Sequence, residues 1–273
     1  MSISPATFAY LVQMVRDHSA IVLDENKSYL VESRLGPLMY AEGMRDVDEL
    51  TRRLRGDRFG PLHRKVLDAM TNNETWFFRD LYPFEALKGA ILPELIRKRE
   101  MDRSLSIWSA ACSSGQEIYS VAMLIREHFP SVLNWRLSLL GTDISEAILS
   151  RARAGIYSQL EVNRGLPAIL LAKYFQQVGR DWQLSSRIRD MAEFRSINLS
   201  SPWAAPGMFD VVFLRNVLIY FPLEVRREIL ARVRHVLRPG GCLFLGSAET
   251  TLNLDDTYER VPFQKSFYYR PKP

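Results

Sequence analysis

The sequence predicts an α/β protein in which a mostly parallel sheet, covered by helices on both faces, follows a small all-helical domain. Three observations support this prediction. Apolar residues recur at helical spacing, without a strand pattern, before residue 72. Short apolar runs then alternate with helical patterns from residue 105 onward, which is typical of parallel βαβ units. Short turn-bounded runs interrupt this alternation once, and we interpret them as a small antiparallel β insertion at about residues 174–196.

The predicted helical domain covers residues 1–71. Ser4 followed by Pro5 is typical of a helix start, because the hydroxyl caps the first turn and proline lacks only an N–H that would have no partner there. Asp46 is placed to cap a later helix. We expect several short helices in this part of the chain, and a second domain over residues 72–273.

Four apolar runs predict the core strands of the second domain. They are residues 105–108, 137–140, 209–214 and 242–245. Because ligands of such sheets bind outside the carboxyl ends of the strands, candidate site residues are sought directly after these runs. The runs assigned to the insertion are residues 174–178, 182–184 and 191–194.

Composition narrows the class of protein. The 273 residues are 47% apolar and 25% charged, which excludes a disordered or fibrous chain. No uncharged apolar run of about 18 residues and no secretory signal is visible. The 2 cysteines and 4 scattered histidines provide neither a metal-ligand spacing nor a disulfide framework. We therefore expect a cytoplasmic protein with no bound metal and no membrane insertion.

A cluster of basic residues stands out against the modest net charge of +5. It comprises Arg52, Arg53, Arg55 and Arg58, followed by Arg64 and Lys65, with Asp57 as the one acid among them. The ordinary interpretation is a solvated helix face, and the alternative is a docking surface for an acidic partner. The charge pattern leaves both interpretations open.

Two strand-to-helix crossings have the composition of a nucleoside site. Small residues dominate positions 109–115, where a ligand can approach the backbone and the start of the next helix. Asp143 follows the second strand, where a carboxylate can accept both hydroxyls of a ribose. A tight turn and a helix-start residue are the structural alternatives. Together, and without a phosphate-binding lysine motif, the two features favour a nucleoside that lacks a polyphosphate, such as S-adenosylmethionine (SAM).

A segment rich in aromatic and polar residues precedes the sheet. Residues 72–80 read Asn-Asn-Glu-Thr-Trp-Phe-Phe-Arg-Asp. Packing between two domains explains the aromatic residues, at least Phe77 and Phe78. Arg79 offers two parallel donors, a geometry that suits a ligand carboxylate.

Five ordered motifs extend over nearly the whole chain. They are Asn-Glu-Thr-x-Phe-Phe-Arg at 73–79, Trp-Ser-Ala-Ala-Cys-Ser-Ser-Gly-Gln-Glu at 108–117, Gly-Thr-Asp-Ile-Ser at 141–145, Phe-Asp-Val-Val-Phe-Leu-Arg-Asn-Val-Leu-Ile-Tyr-Phe at 209–221, and Leu-Arg-Pro-Gly-Gly at 237–241 with Gly-Ser-Ala-Glu at 246–249. These segments resemble those of the CheR-type chemotaxis receptor methyltransferases. The resemblance implies a Rossmann-like SAM-dependent methyltransferase sheet. It also implies a protein-glutamate O-methyltransferase that esterifies glutamate side chains on the cytoplasmic helices of chemoreceptors, in chemotactic adaptation.

The resemblance also implies residue roles. The catalytic candidates are Arg79, which would position either the methyl-accepting carboxylate or the methionine carboxylate, and Tyr220, which would line the transfer path or serve only core packing. The implied SAM contacts are Asn73, Thr75, Arg79, Glu117, Asp143, Asn198, Leu199, Arg215 and Asn216. The product would be S-adenosylhomocysteine. The basic run at Arg52, Arg53, Arg55 and Arg58 would dock on glutamate-rich receptor helices.

Two alternatives and two departures accompany the resemblance. One departure is Ala111, where relatives also carry glycine, and we expect it to cost little as long as the loop is not forced to positive φ. The stretch at residues 178–182 is shorter than in relatives that bind a peptide at the receptor's tail, so we expect docking mainly through the helical domain and no tethering to a receptor-tail peptide. A monomer is the default expectation for the oligomeric state. One alternative is methylation of another substrate such as nucleic acid. It is disfavoured because no Pro-Pro-aromatic sequence follows Asn216 and neither cysteine follows a proline. The other alternative is a SAM-binding sensor or scaffold without catalysis.

Overall fold

Four helices form the N-terminal part of the protein. The computed structural model describes residues 3–22, 28–204 and 206–272. The Ser4 hydroxyl accepts a hydrogen bond from the Thr7 N–H at 3.2 Å, and the Asp46 carboxylate accepts one from the Glu49 N–H at 2.7 Å, so both predicted caps form. Apolar side chains between Leu11 and Met70 make a separate core. The helices are α1 (Pro5–Ser19), α2 (Ser28–Ala41), α3 (Val47–Gly56) and α4 (Pro61–Met70).

Ten strands follow within the described residues, and they form two sheets. They are β1 (Ser104–Ala110), β2 (Arg136–Asp143), β3 (Ile156–Ser158), β4 (Phe175–Val178), β5 (Asp181–Leu184), β6 (Ala192–Ser196), β7 (Phe209–Leu214), β8 (Leu237–Leu245), β9 (Tyr258–Phe263) and β10 (Ser266–Pro271). The main sheet has seven strands in the order β6-β2-β1-β7-β8-β10-β9. The first five of these pair in parallel, and the last two are antiparallel.

Helices cover both faces of the main sheet, as predicted for the fold class. Leu105 and Ile107 of β1 join a core with the apolar side of the helix that follows β1, whereas Trp108 and Ala110 join a second core with the helix that precedes β8. The remaining helices are α5 (Tyr82–Ala86) and α6 (Leu92–Lys98), joined by a π-helical turn, then α7 (Gln116–His128), α8 (Glu146–Ala154), α9 (Gln159–Asn163), α10 (Ala168–Tyr174), α11 (Ser186–Arg189) and α12 (Leu223–Val236). Over the described part of the chain, no helix is both long and apolar enough to span a bilayer.

The small antiparallel sheet differs from our interpretation of one run. Of the run at residues 191–194, residues 192–194 belong to β6, which pairs in parallel with β2 at the edge of the main sheet. The small sheet instead consists of β3, β5 and β4, and its first strand comes from outside the predicted insertion. Short turn-bounded runs look alike in sequence, so only long-range pairing decides which sheet each one joins. The division of the chain into domains at residue 72 stays a prediction.

The C-terminal part of the main sheet also goes beyond the predicted strands. Phe209 pairs with Leu237 and Val211 pairs with Cys242, so residues 238–241 form an irregularity inside β8. The β9–β10 hairpin, which sequence analysis did not anticipate, extends the sheet beyond β8. Strands β2, β1 and β7 are adjacent and parallel. Their carboxyl ends therefore lie side by side, where a ligand site is expected.

Gly165 provides a test of how tightly the loop before α10 packs on the segment that precedes the sheet. Its φ is +79°, and an added Cβ would lie 2.1 Å from the Phe77 carbonyl oxygen. Gly179 has a similar φ of +64° but open space around it. We expect Gly179→Ala to lower the free energy of unfolding by about 1–2 kcal/mol through backbone strain. Gly165→Ala should lower the free energy of unfolding by ~1–3 kcal/mol more than Gly179→Ala does, because its Cβ also clashes with the Phe77 carbonyl oxygen. Equal losses in urea denaturation would contradict this packing.

Candidate functional site

A cleft with about 850 Å³ of open space lies at the carboxyl ends of β1, β2, β6 and β7. The loops that follow these strands form most of its wall. Residues 71–75 and Arg79, from the segment that precedes the sheet, form a second side. Ser19 and Ile21, at the end of α1, complete it. The cleft thus combines residues that are distant in sequence, including part of the helical domain.

Asp143 ends β2 inside this cleft, where it is only 7% exposed. Its carboxylate accepts hydrogen bonds from the N–H groups of Ser113 at 2.9 Å and Ser145 at 3.2 Å. Burial raises the pKa of Asp143 above its ordinary value, although these N–H donors oppose the shift. Ser145, rather than Asp143, caps α8 by accepting from the Ile148 N–H. A carboxylate has about four acceptor positions, so Asp143 retains capacity for a ligand's hydroxyls.

A buried ion cluster also borders the cleft. The guanidinium of Arg215, directly after β7, donates to Glu117 at 2.7 Å and to Asp80 at 2.6 Å. It also donates to the Arg79 carbonyl at 2.9 Å. Glu117, in the first turn of α7, accepts a further bond from the Ser109 hydroxyl at 2.7 Å. The cluster therefore joins the ends of β1 and β7, the start of α7 and the segment that carries Arg79.

Arg79 is held by its neighbours in a way that leaves its buried Nε without a hydrogen-bond partner among the described residues. Its guanidinium lies 4.3 Å from the centre of the Trp76 ring, and Arg164 stacks on the same ring at 3.8 Å. One terminal nitrogen of Arg79 donates to the Glu74 carbonyl at 2.8 Å. Its Nε is buried and makes no hydrogen bond with the described residues. Because a buried donor without a partner is costly, this nitrogen marks a place for a ligand acceptor.

The loop after β1 presents its backbone to the cleft. Ala111 and Ser113 have φ values of +60° and +52°, a left-handed conformation that costs a non-glycine residue about 1–2 kcal/mol. The Ser113 hydroxyl donates to the Asn73 carbonyl at 2.7 Å and so ties this loop to the segment before the sheet. Such strain at a cleft is typical of functional loops. Cys112 also lines the cleft, but burial raises the pKa of its thiol well above its ordinary value.

Tyr220 and Asn198 contact residues from the helical side of the molecule. The Tyr220 hydroxyl accepts a hydrogen bond from the Asn72 side chain at 2.7 Å, and its carbonyl accepts from the Val22 N–H at 3.0 Å. The Asn198 side chain donates to the His18 carbonyl at 2.9 Å. The bonds to Val22 and His18 hold the end of α1 at the cleft.

The structure brings all the predicted SAM-contact residues together, and Tyr220 with them. The residues that line the cleft include Asn73, Thr75, Arg79, Glu117, Asp143, Asn198, Leu199, Arg215, Asn216 and Tyr220. Their individual roles remain predictions. The four basic docking candidates lie elsewhere, exposed on α3 or just after it; they are Arg52, Arg53, Arg55 and Arg58.

Sequence reasoning missed the residues that hold this set in place. Asp80 and Ser109 bond the buried ion cluster. Asp80 directly follows the motif at 73–79 and Ser109 lies within the motif at 108–117, so their position was the available signal. Ser19 and Ile21 reach the cleft only because the helical domain packs there, and no local pattern marks them. Glu249, the last residue of a quoted motif, bonds the loop that carries Asn216.

Comparison with known proteins identifies the family. The family model described as "CheR methyltransferase, SAM binding domain" matches residues 73–267, and "CheR methyltransferase, all-alpha domain" matches residues 6–71. Chemotaxis protein methyltransferase 1 of Pseudomonas aeruginosa is 45% identical over 276 residues, with 100% of both chains covered. Chemotaxis protein methyltransferase Cher2 of Pseudomonas putida is 44% identical and covers 92% of this chain and 93% of its own. The Vibrio parahaemolyticus chemotaxis protein methyltransferase is 37% identical, with 100% and 99% covered.

The titration of Asp143 supplies a test of its predicted contact with SAM. Hydroxyl groups bind the ionised carboxylate, so affinity is full above the raised pKa and falls as the pH drops through it. In calorimetric titrations we expect this loss at a pH above about 3.9, the ordinary aspartate value. Asp143→Asn should bind on the order of tenfold or more weakly at neutral pH and lose this pH dependence.

Asp68 is the matched control, because its pKa is also raised by burial and its charge acts on Asp143. Asp68→Asn should keep the acid-side loss of affinity. If Asp143→Asn retained the wild-type dependence of SAM affinity on pH while Asp68→Asn lost it, Asp143 would not be the group that binds the nucleoside.

Proposed function

The chain belongs to the CheR methyltransferase family and is a SAM-dependent methyltransferase, and from this premise we propose that it converts glutamate side chains of chemoreceptors to methyl esters. The observation that carries the proposal is one cleft that combines Asp143, the unpartnered donor of Arg79 and an open side flanked by Tyr220. The names of the full-length relatives support the chemotactic role. We further propose that the enzyme acts in the cytoplasm as a monomer.

The residues of the cleft fit SAM in charge and polarity. Asp143 would accept the ribose hydroxyls, and Ile144, Ile197 and Leu199 offer an apolar surface for the base. The unpartnered Nε of Arg79 suits the carboxylate at the methionine end, or that of the substrate. The left-handed loop at Ala111 lets a ligand approach the backbone.

The chemistry requires placement more than proton transfer. SAM, when bound, supplies a methyl group made electrophilic by a positively charged sulfur. The receptor glutamate has an ordinary pKa of about 4.3 and is already ionised and nucleophilic at neutral pH. One of its oxygens forms the new O–CH3 bond as the S–CH3 bond breaks and the electron pair remains on sulfur, which yields S-adenosylhomocysteine. This chain's residues therefore have to align the two reactants and exclude water.

We assign the alignment to Arg79 and Tyr220. The stacking of Arg79 on Trp76 and its bond to Glu74 fix the direction of its free donor. The bond from Asn72 fixes the Tyr220 hydroxyl at the edge of the cleft. Both residues would orient the incoming carboxylate, and neither has to abstract a proton from it.

The proposed docking surface is the basic cluster formed by Arg52, Arg53, Arg55 and Arg58. These side chains are exposed, and Arg53 makes an ion pair with Glu49 at 2.8 Å within α3. A positive surface complements receptor helices rich in glutamate and raises the rate of encounter. The β4–β5 turn consists of Gly179 and Arg180 alone, a short turn that supports docking through the helical domain rather than through the insertion.

A nucleic-acid substrate and a non-catalytic sensor are the competing functions. Cytosine C5 methylation needs a cysteine nucleophile, and the raised pKa of the Cys112 thiol argues against that role. A sensor would bind SAM in the same cleft without transfer, so only an assay of the product separates it from the enzyme.

The decisive experiment follows a methyl-labelled SAM. The protein is incubated with a receptor cytoplasmic fragment, and volatile methanol is counted after mild alkali. We expect alkali-labile label on the receptor, because carboxyl methyl esters release methanol whereas N-methyl groups and methylated bases do not. SAM binding without transfer to the receptor fragment would favour the sensor. In a parallel incubation with nucleic acid in place of the receptor fragment, alkali-stable label on the nucleic acid would favour the other substrate class.

Charge reversal tests the docking surface. Arg53→Glu combined with Arg55→Glu should slow receptor methylation on the order of ten- to a hundredfold by weakening encounter with an acidic partner. SAM affinity should stay unchanged, because neither residue lines the cleft. The measurement is kcat/KM for the receptor fragment together with the Kd for SAM.

The matched control makes the same charge change on the insertion. Arg180 and Arg187 are exposed there, and their double change to glutamate should leave receptor methylation near the wild-type rate. The opposite result, with the insertion variant slowed and the helical-domain variant normal, would move the docking surface to the insertion.

A further inference from the structure

Glu249 is a buried carboxylate whose hydrogen bonds, within the part of the chain that the structure describes, all come from backbone N–H groups. It follows β8, is 6% exposed, and does not line the cleft. One of its oxygens accepts hydrogen bonds from the N–H groups of Asn216 and Gly246, each at 2.7 Å. The other accepts from the Leu218 N–H at 2.7 Å. Three donors from two loops therefore converge on one side chain.

We propose that Glu249 is a positioning residue for methyl transfer, acting through the loop that runs from Arg215 to Tyr220. This inference rests on the proposed function and adds a residue that does not itself reach the reactants. Asn216 and Tyr220, which do line the cleft, are the residues it positions.

The loop needs such an anchor because of its backbone conformation. Asn216 has a φ of +59°, which an asparagine adopts more readily than most residues but which still requires support. Its N–H and that of Leu218 lie outside any sheet ladder, since β7 ends at Leu214. Without the carboxylate these N–H groups would be buried donors without a partner, and the loop would shift to expose them to water.

The space around Glu249 is restricted, which makes the anchor specific. An added Cβ at Gly246 would lie 2.6 Å from the Asn216 side-chain nitrogen and 2.8 Å from a Glu249 carboxylate oxygen. The asparagine side chain, the glycine backbone and the carboxylate are thus packed against one another. A movement of the carboxylate therefore displaces Asn216 directly.

The test compares Glu249→Gln with the wild-type protein. Glutamine has nearly the same shape, but its amide nitrogen cannot accept a hydrogen bond, so at least one of the three N–H groups loses its partner. We expect kcat to fall on the order of ten- to a hundredfold through misplacement of the cleft residues. The KM for the receptor fragment should be unchanged. Amide hydrogen exchange across residues 215–220 should accelerate, and SAM affinity should fall.

Asp210→Asn is the matched control for a purely structural effect. Asp210 is a fully buried carboxylate near the other end of β7, where it accepts from Arg99, Arg238 and the Ser106 N–H. Loss of the Asp210 carboxylate in Asp210→Asn should lower the unfolding temperature. It should not alter exchange at residues 215–220, SAM affinity or kcat of the folded enzyme. Glu249→Asp keeps the charge one methylene further back and should recover part of the lost kcat.

Two outcomes would overturn the inference. One is a Glu249→Gln protein that is less stable but has wild-type kcat, SAM affinity and exchange. The other is a change in kcat, SAM affinity and exchange that Asp210→Asn produces to the same extent. If Glu249→Gln does not fold, Glu249→Asp is judged by the same readouts. Amide exchange and SAM affinity are measured without the receptor. They therefore test the positioning role of Glu249 even if the receptor is not the substrate.

Discussion

The cleft depends on one buried guanidinium. Only 2% of the Arg215 side chain is exposed, and it bonds Glu117 on α7, Asp80 before the sheet, and a backbone carbonyl. Breaking a buried ion pair by removing one partner costs about 3–5 kcal/mol, because the remaining charge stays out of water. The three partners come from separate parts of the chain. The start of α7, the end of β7 and the segment that carries Arg79 therefore have to assemble together, and the cleft is part of the folded core.

Local sequence patterns predicted those parts of the fold that depend on neighbouring residues. The caps at Ser4 and Asp46 and the alternation of strands and helices are of this kind. The run at residues 191–194 was misassigned because its composition suits either sheet, and its pairing with β2 spans some fifty positions of sequence. The β9–β10 hairpin was missed since its strands carry polar, aromatic and proline residues without a clear alternation.

The sequence predicted the candidate site to about the same extent as the fold. Motifs identified residues that line the cleft, because a ligand constrains side-chain type directly. They did not identify what holds those residues. Asp80 and Asn72 act on their neighbours through contacts that form only in the folded protein. Ser19 and Ile21 belong to a helix whose sequence indicates only an apolar face, and their place at the cleft follows from how the helical domain packs.

The two edge strands of the main sheet determine whether another chain can add a strand to it. At one edge, β6 exposes Glu193 and Arg195, which pair with each other. At the other edge, β9 exposes Arg260 and carries Pro262, which has no N–H to donate. Charged residues and proline on outer strands discourage a foreign strand from adding to a sheet and so limit aggregation. Neither border of the main sheet is suited to recruit an extended peptide, and a crowded array of receptor helices can be approached without strand-to-strand association.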